Sequence, residues 1–155
     1  MLSLLDVLNR STAFFEKAAV PNPRLNAEWL MAHALGCKRL DLYVRFDKPL
    51  SEEELGRMRP LVKRRQLREP LQYIIGTTPF HELNLRCDRR ALIPRPETEE
   101  LVERAATLFA TPPVRVLDLG TGTGAIALSL AKAWPQAQVC AVDASEEALS
   151  LAAFK

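Results

Sequence analysis

The feature that most constrains the fold is a glycine-rich turn between a predicted strand and a predicted helix. Residues 116–125 read Val-Leu-Asp-Leu-Gly-Thr-Gly-Thr-Gly-Ala. An apolar run precedes the glycines and a helix-forming run follows them, so the chain passes from strand to helix within a few residues. Glycines permit such a tight turn and let a ligand approach the backbone closely. The sequence therefore predicts a ligand-binding turn in an α/β domain.

The residues around this turn predict alternating strands and helices. Residues 114–119 form a predicted strand, residues 125–134 a helix and Gln138–Val142 a second strand, and a further helix begins near Ser145. Continuous apolar strands that alternate with helices predict a parallel sheet covered on both faces. A complete doubly wound sheet has about five or six strands. Because two strands precede Lys155, we expect the sheet to be unfinished.

The N-terminal part of the chain predicts an all-α bundle. Apolar residues recur there at helical spacing, and Asn22-Pro23 is a typical helix start. Ser51 followed by three glutamates predicts a capping box that opens a third helix. Pro60 is expected to kink that helix or to delay its regular part.

A change of pattern at Pro70 predicts short strands. Leu71–Ile75 and residues 80–85 are β-rich runs separated by Gly-Thr-Thr-Pro, which indicates a hairpin, and Leu92-Ile93 is a candidate third strand. Pro94-Arg95-Pro96 is then extended and stiff, because each proline fixes its own φ and restricts the preceding residue. An amphipathic helix is predicted to follow.

Charge is distributed unevenly along the chain. Residues 1–92 hold sixteen Lys and Arg against eleven Asp and Glu, whereas residues 93–155 hold five against eight. This asymmetry fits a basic partner-binding end, and it fits a solvated surface equally well. The basic cluster, defined here as Lys63, Arg64, Arg65 and Arg68, has the same two interpretations: it contacts a partner, or it favours the dipole of the predicted helix.

Cysteine usage and hydropathy exclude several classes of protein. Cys37, Cys87 and Cys140 are far apart and form no local pair, so we expect free thiols and no metal site. The sequence has no apolar run near the roughly 20 residues that span a bilayer, and its N-terminus is unlike a signal peptide. We therefore expect a cytoplasmic protein.

Two ligand classes fit the glycine turn. Asp143 ends the second predicted strand and suits a carboxylate that accepts hydrogen bonds from ribose hydroxyls. The spacing of Gly120, Gly122 and Ala125 also fits a dinucleotide, which leaves a nicotinamide-dependent oxidoreductase as an alternative. Asp118 favours the other class, because a carboxylate repels a pyrophosphate but attracts the ammonium and sulfonium of S-adenosylmethionine by roughly a few kcal/mol.

Three runs resemble successive signatures of the PrmC/HemK family, the release factor glutamine methyltransferases. They are Glu-Pro-Leu-Gln-Tyr-Ile-Ile-Gly at residues 69–76, Leu-Ile-Pro-Arg-Pro-Glu-Thr-Glu at residues 92–99, and residues 116–127. Residues 23–28 and 32–36 are similar to the helical N-terminal domain of that family. The glycine motif is generic to class I methyltransferases, whereas Pro-Arg-Pro-Glu-Thr is more specific. The resemblance covers essentially the whole chain.

The resemblance implies an α+β chain of three parts. Residues 1–69 would be an all-α substrate-recognition bundle and residues 70–93 a short β-hairpin linker. Residues 94–155 would begin a class I methyltransferase domain, which is a Rossmann-like, doubly wound α/β fold that binds S-adenosylmethionine.

The resemblance also implies which residues bind this methyl donor. The loop residues that would line its methionine side are Gly120, Thr121, Gly122, Thr123 and Gly124. Asp143 would bind its ribose. Asp118, Glu97 and Thr98 would lie near its ammonium and carboxylate.

The implied activity is methyl transfer to the side-chain amide nitrogen of the glutamine in the Gly-Gly-Gln motif of peptide-chain release factors. Release factors would be the protein partner, with no direct contact to nucleic acid or membrane. The family's catalytic Asn-Pro-Pro-Tyr motif does not occur in the 155 residues. We therefore expect no catalytic residue and no turnover from this chain alone. A non-enzymatic helical interaction module is the remaining alternative.

Overall fold

The computed structural model describes residues 2–109 and 111–153. Packing divides the chain into two compact units between Ile75 and Gly76. The first unit is helical, and the second combines helices with two small sheets, which confirms the predicted α+β class. Lys155, where the predicted third part ends, lies outside the described residues.

The first unit is a helical bundle, as predicted. Its elements are helix α1 (Leu4–Lys17), helix α2 (Pro23–Leu35), a short 3-10 helix (Arg39–Leu42), helix α3 (Glu52–Gln66) and helix α4 (Leu71–Ile75). Helices α1 and α3 both pack against α2. Leu8, Phe15 and Leu30 are completely buried between them. Burial of such side chains is the main force that holds the bundle together.

Side chains cap two of these helices. The Ser3 hydroxyl accepts a hydrogen bond from the Asp6 N–H at 3.1 Å, and the Asp6 carboxylate accepts one from the Ser3 N–H. Ser51 and Glu54 repeat this arrangement at the start of α3, which confirms the predicted capping box. Asn22 does occupy the predicted start of α2, but its backbone is left-handed and its side chain does not cap the helix.

One sequence prediction for the helical unit is wrong, and the one for Pro60 is only partly tested. Leu71–Ile75 is helix α4 and not a strand, because Ile74 is buried against the bundle and the segment packs on α2 and α3. Tertiary packing thus outweighs the preference of isoleucine for strands. Pro60 lies inside α3, which is continuous from Glu52 to Gln66, so the regular part of the helix is not delayed and the expected kink stays a prediction.

A buried carboxylate links α2 to the residues that follow it. The Glu28 side chain is only 5 % exposed, and it accepts hydrogen bonds from Arg24 Nε at 2.9 Å, Arg39 Nη1 at 2.9 Å and the Tyr43 hydroxyl at 3.0 Å. Burial raises the pKa of Glu28, but the hydrogen bonds from Arg39, Arg24 and Tyr43 outweigh burial and hold the pKa below 4.5. Glu28 therefore stays ionised in the folded protein.

The second unit begins with a hairpin and continues into a βαβ arrangement. Its elements are strands β1 (Thr77–Phe80) and β2 (Leu83–Arg86), helix α5 (Pro96–Leu108), strand β3 (Arg115–Leu119), helix α6 (Ala125–Ala133), strand β4 (Gln138–Val142) and helix α7 (Glu146–Ala152). Strands β1 and β2 are antiparallel and turn at residues 81–82. The hairpin exists, but its first strand follows Gly76 instead of preceding it, and Leu92-Ile93 is not a strand.

The parallel sheet of this unit confirms the predicted strand–helix alternation. Strands β3 and β4 pair in parallel, with Leu117 opposite Cys140 and Leu119 opposite Val142. Helix α6 connects them and packs against both. Since the strands are parallel, their carboxyl ends lie at the same edge of the sheet.

Candidate ligand-binding site

The glycine turn lies at the carboxyl edge of the parallel sheet. Residues 120–124 connect β3 to α6, and Asp143 directly follows β4. Leu119 lies opposite Val142, so the turn and Asp143 leave the sheet side by side. In open α/β sheets, ligands bind in the crevice beyond these strand ends.

Backbone hydrogen bonds fix the turn to the end of β4. The N–H groups of Gly120 and Thr121 both donate to the Val142 carbonyl, at 2.8 Å and 3.0 Å. The Gly122 N–H donates to Asp143 Oδ2 at 2.8 Å. The structure thus brings together the glycine turn and the aspartate that the sequence predicted for one site.

Asp143 is held as an anion. Its second oxygen, Oδ1, accepts a hydrogen bond from the Ser145 N–H at 2.9 Å. The N–H groups of Ser145 and Gly122 stabilise the ionised form and keep the pKa of Asp143 below its ordinary value of 3.8. Each carboxylate oxygen has two lone pairs, so both oxygens retain the capacity to accept from ligand hydroxyls.

Asp118 has an internal role that sequence reasoning missed. Its side chain is buried, and Oδ2 accepts from the Thr121 hydroxyl at 2.7 Å and from the Ala127 N–H at 3.2 Å. The carboxylate therefore braces the glycine turn against the start of α6. A buried negative charge also acts on the turn through a low dielectric. Direct contact between Asp118 and a ligand remains a prediction.

The three glycines of the turn differ in their surroundings. Gly120, Gly122 and Gly124 all have positive φ, at 74°, 56° and 81°. A Cβ atom at Gly120 or Gly122 would meet no atom within 4 Å, whereas one at Gly124 would lie 3.2 Å from Leu128 Cδ1 and 3.3 Å from Ala152 Cβ. The first two glycines therefore leave open space, and the third permits close packing of α6 and α7.

The two threonines of the turn point into the protein. Thr121 and Thr123 are 7 % and 5 % exposed. Their side chains are therefore enclosed, and the Thr121 hydroxyl donates to Asp118.

Glu97 and Thr98 lie in the first turn of α5. Thr98 N–H donates to the Arg95 carbonyl at 2.9 Å, and Glu97 is exposed. One residue further on, the Glu99 carboxylate accepts from the His81 N–H at 3.0 Å and fixes α5 to the hairpin. Within the described ranges, no hydrogen bond or ion pair joins Glu97 or Thr98 to the glycine turn. Their predicted role therefore stays a prediction.

The basic cluster of the first unit is only partly available to a partner. Arg64 forms a two-pronged ion pair with Glu69, with Nε–Oε2 at 2.7 Å and Nη2–Oε1 at 2.8 Å. Arg65 donates to the Glu69 carbonyl at 2.9 Å. Both arginines thus stabilise the end of α3. Partner contact remains a prediction for the exposed Lys63 and Arg68.

The cysteines are free thiols, as predicted. Burial raises the pKa of Cys87 to about 11, so its thiol is a poor nucleophile. Across residues 2–109 and 111–153, no three metal-binding side chains form a cluster. None of the helices in these ranges has the length and apolar character needed to cross a membrane.

Comparison with known proteins defines the class. Residues 6–76 match the PrmC N-terminal domain, and residues 116–155 match a methyltransferase domain. The first match coincides with the helical bundle and the second begins in β3. Along the sequence, a PrmC-type helical domain thus precedes a segment that is similar to the beginning of a methyltransferase domain.

Over almost its whole length the chain is similar to release factor glutamine methyltransferases, the proteins of the PrmC/HemK family. It is 48% identical over 146 residues to the release factor glutamine methyltransferase of Geobacter sulfurreducens, covering 94% of this chain and 51% of that protein. The corresponding protein of Rhodopirellula baltica is 44% identical over 155 residues, covering 97% and 52%. The human MTRF1L release factor glutamine methyltransferase is 38% identical over 159 residues, covering 96% and 47%. The chain spans about half the length of these relatives.

The names of these relatives bear on the two alternative functions that the sequence left open. All three relatives are glutamine methyltransferases of release factors. They support neither a nicotinamide-dependent oxidoreductase nor a non-enzymatic helical module.

Proposed function

We propose that the protein transfers a methyl group from S-adenosylmethionine to the side-chain amide nitrogen of the glutamine in the Gly-Gly-Gln motif of peptide-chain release factors. The proposal includes a cytoplasmic location, where release factors act on the ribosome. The observation that carries it is the glycine turn joined to the anionic Asp143 at the carboxyl edge of β3 and β4. The names of the relatives supply the substrate.

The residues of the turn suit a cationic methyl donor. Gly120 and Gly122 leave space above the backbone for its methionine portion. Asp143 would accept hydrogen bonds from its ribose hydroxyls, and the buried charge of Asp118 would attract its ammonium and sulfonium. A pyrophosphate over the turn would be repelled by the Asp118 carboxylate.

The remaining proposed contacts come from the backbone and from α5. Thr121, Thr123 and Gly124 would line the methionine side of the donor together with Gly120 and Gly122. Glu97 and Thr98 would bind the amino-acid end of the methyl donor from the start of α5.

S-adenosylmethionine supplies a methyl group that moves by in-line displacement, as the glutamine nitrogen bonds to the methyl carbon, the carbon–sulfur bond breaks and the nitrogen releases a proton. The described residues would contribute by orienting the donor and by excluding water from it. Asp143 would hold the ribose of the donor and so restrict its rotation about the turn.

Titration calorimetry tests the donor site. We expect S-adenosylmethionine to bind and NAD to give no heat beyond dilution. Asp143→Asn should weaken binding about tenfold, because a charge-assisted hydrogen bond contributes about 1.5–3 kcal/mol. Glu146→Gln, which removes a carboxylate from the first turn of α7, is the matched control and should leave the affinity unchanged. Binding of NAD in preference to S-adenosylmethionine would refute the proposal.

A methyl-transfer assay tests the substrate. The protein, expressed from its full coding sequence, is incubated with labelled S-adenosylmethionine and a purified release factor. We expect the full-length protein to place label on the release factor and none when the glutamine of its Gly-Gly-Gln motif is replaced by alanine. The 155 residues alone should transfer no label, because they contain no Asn-Pro-Pro-Tyr motif. Equal labelling of both release factors would show that another residue is the acceptor.

A further inference from the structure

An apolar groove lies on the surface of the helical unit between α1 and α3. Both helices pack against α2, and the space between them is a cavity of about 480 Å³. Its floor consists of Val7 from α1 with Leu55, Met58 and Val62 from α3. The Phe14 side chain lines one wall and is 41 % exposed. The groove therefore offers apolar surface to a partner without any rearrangement of the bundle.

The rim of the groove is positively charged. Arg10, Arg59 and Lys63 line it and are exposed, and none of the described residues that line it carries a carboxylate. Arg59 pairs with Glu52 at 3.1 Å, but both side chains are largely exposed, at 67% and 82%, so this pair is weak. Arg10 and Lys63 form no ion pair with a described residue. The rim therefore favours an acidic partner.

We propose that this groove binds an amphipathic helix of a protein partner, with apolar side chains along one face and carboxylates on both flanks. A concave apolar floor between two helices accepts the ridge of a third helix, with anchors about three or four residues apart. Carboxylates on the flanks would meet Arg10 and Lys63, which steers the partner into place. A nucleic-acid backbone would find no phosphate ligands on the apolar floor, and a membrane surface favours a protruding apolar face.

The proposal goes beyond methyl transfer and does not depend on it. The groove is formed within α1 and α3 of the first unit, whereas the proposed donor site belongs to the second. Failure of S-adenosylmethionine to bind would therefore leave the groove proposal intact, and the reverse also holds.

Fluorescence anisotropy with a designed peptide tests the groove. The probe is a labelled peptide of about 18 residues, longer than the roughly 12–15 residues below which isolated helices are marginal in water. It carries leucines along one helical face and glutamates on both flanks. The matched control peptide has the same leucines and lysines in place of the glutamates. We expect the acidic peptide to bind the full chain, more weakly as salt rises, and the basic peptide not to bind.

Charge reversal on the rim tests the assignment to this surface. Arg10→Glu and Lys63→Glu should each weaken binding of the acidic peptide about fivefold at low salt. Arg57→Glu is the matched control, because Arg57 is exposed on α3 but does not line the groove. The Arg57→Glu variant should bind the acidic peptide with the affinity of the wild type. Equal losses in all three variants would show a general charge effect and would overturn the proposal.

Removal of the wall aromatic tests the apolar part separately. Phe14→Ala should weaken peptide binding about tenfold, as expected for an aromatic anchor. Leu5→Ala is its control, since Leu5 is 38 % exposed on the same helix but lies outside the groove. Circular dichroism confirms that each variant is folded. Peptide binding that is unaffected by Phe14→Ala would overturn the proposal. Self-association of the wild type that is abolished by Lys63→Glu would also overturn it, because a second copy of the chain would then occupy the groove.

Discussion

The two units of the molecule differ in how completely they bury their apolar side chains. Leu4 and Phe15 in the helical unit are fully buried, whereas Leu117 and Leu119 on the strands of the second unit are 59 % and 73 % exposed. A helix satisfies its own backbone hydrogen bonds and needs to bury only one stripe. A parallel sheet needs cover on both faces. We therefore expect the helical unit to be the more stable of the two, while the proposed chemistry belongs to the other.

Two tryptophans allow this comparison to be measured. Trp29 lies in α2 of the helical unit, and Trp134 follows α6 in the second unit. Trp134→Phe leaves a reporter for the first unit, and Trp29→Phe leaves one for the second. Urea unfolding followed by tryptophan fluorescence then gives the free energy of unfolding of each unit separately.

The largest effect is expected from Phe15→Ala. Phe15 is fully buried in the helical core, and removal of such a ring costs about 3–5 kcal/mol because a cavity remains. The Trp29 transition should move to lower urea and the Trp134 transition should stay in place. Phe14→Ala on the same helix is the exposed control. Equal shifts of the Trp29 and Trp134 transitions would show that the two units unfold together, and their stabilities could then not be compared separately.

A smaller loss is expected from Asp118→Ala in the second unit. The substitution leaves the Thr121 hydroxyl and the Ala127 N–H buried without an acceptor, which costs about 2–3 kcal/mol. Only the Trp134 transition should move. Asp118→Asn keeps an acceptor oxygen and should recover part of the loss. Equal stability of the alanine variant and the wild type would show that these two hydrogen bonds to Asp118 do not stabilise the unit.

Glu28→Gln should destabilise the helical unit by about 2 kcal/mol at neutral pH, since hydrogen bonds to a charged group are worth about 1.5–3 kcal/mol. The folded pKa of Glu28 lies below 4.5. Its contribution is therefore present above the unfolded pKa and is lost as pH falls through the folded pKa. As the pH falls below about 5, wild type should lose stability more steeply than the variant, in urea titrations followed by far-UV circular dichroism. Parallel pH profiles would contradict this assignment.

The smallest expected effect is a difference between two glycine substitutions. Gly120→Ala and Gly124→Ala both place a Cβ at positive φ, which costs about 1–2 kcal/mol. Gly124→Ala should cost about 1 kcal/mol more, because its Cβ also crowds Leu128 and Ala152. Thermal unfolding followed through Trp134 measures the difference. Equal losses would mean that Leu128 moves aside without cost.

Local signals made part of this structure predictable. The Ser51 capping box and strand Gln138–Val142 were predicted correctly, because a helix cap and an apolar run between turn residues each depend only on residues close together in the sequence. Helix Leu71–Ile75 was not, since a five-residue apolar run has no clear period and burial of Ile74 against the bundle decides its conformation.

The site was predictable in position but not in its internal bonds. The glycine turn and Asp143 were expected together because consecutive parallel strands end at one edge. Asp118 accepts hydrogen bonds from Thr121 and Ala127, and no rule of sequence spacing predicts these bonds. Glu28 was missed for the same reason, because only its i,i+4 relation to Arg24 is visible in the sequence.

The bonds from the glycine turn to Val142 and Asp143 have a consequence for biosynthesis. During translation the turn leaves the ribosome before its partners, and Asp143 follows Gly122 by 21 residues. Until β4 has paired with β3, the N–H groups of Gly120 and Thr121 are bound only to water. A nascent or partly unfolded chain therefore carries the motif without these hydrogen bonds, and the proposed donor site can form only when β3 and β4 pair.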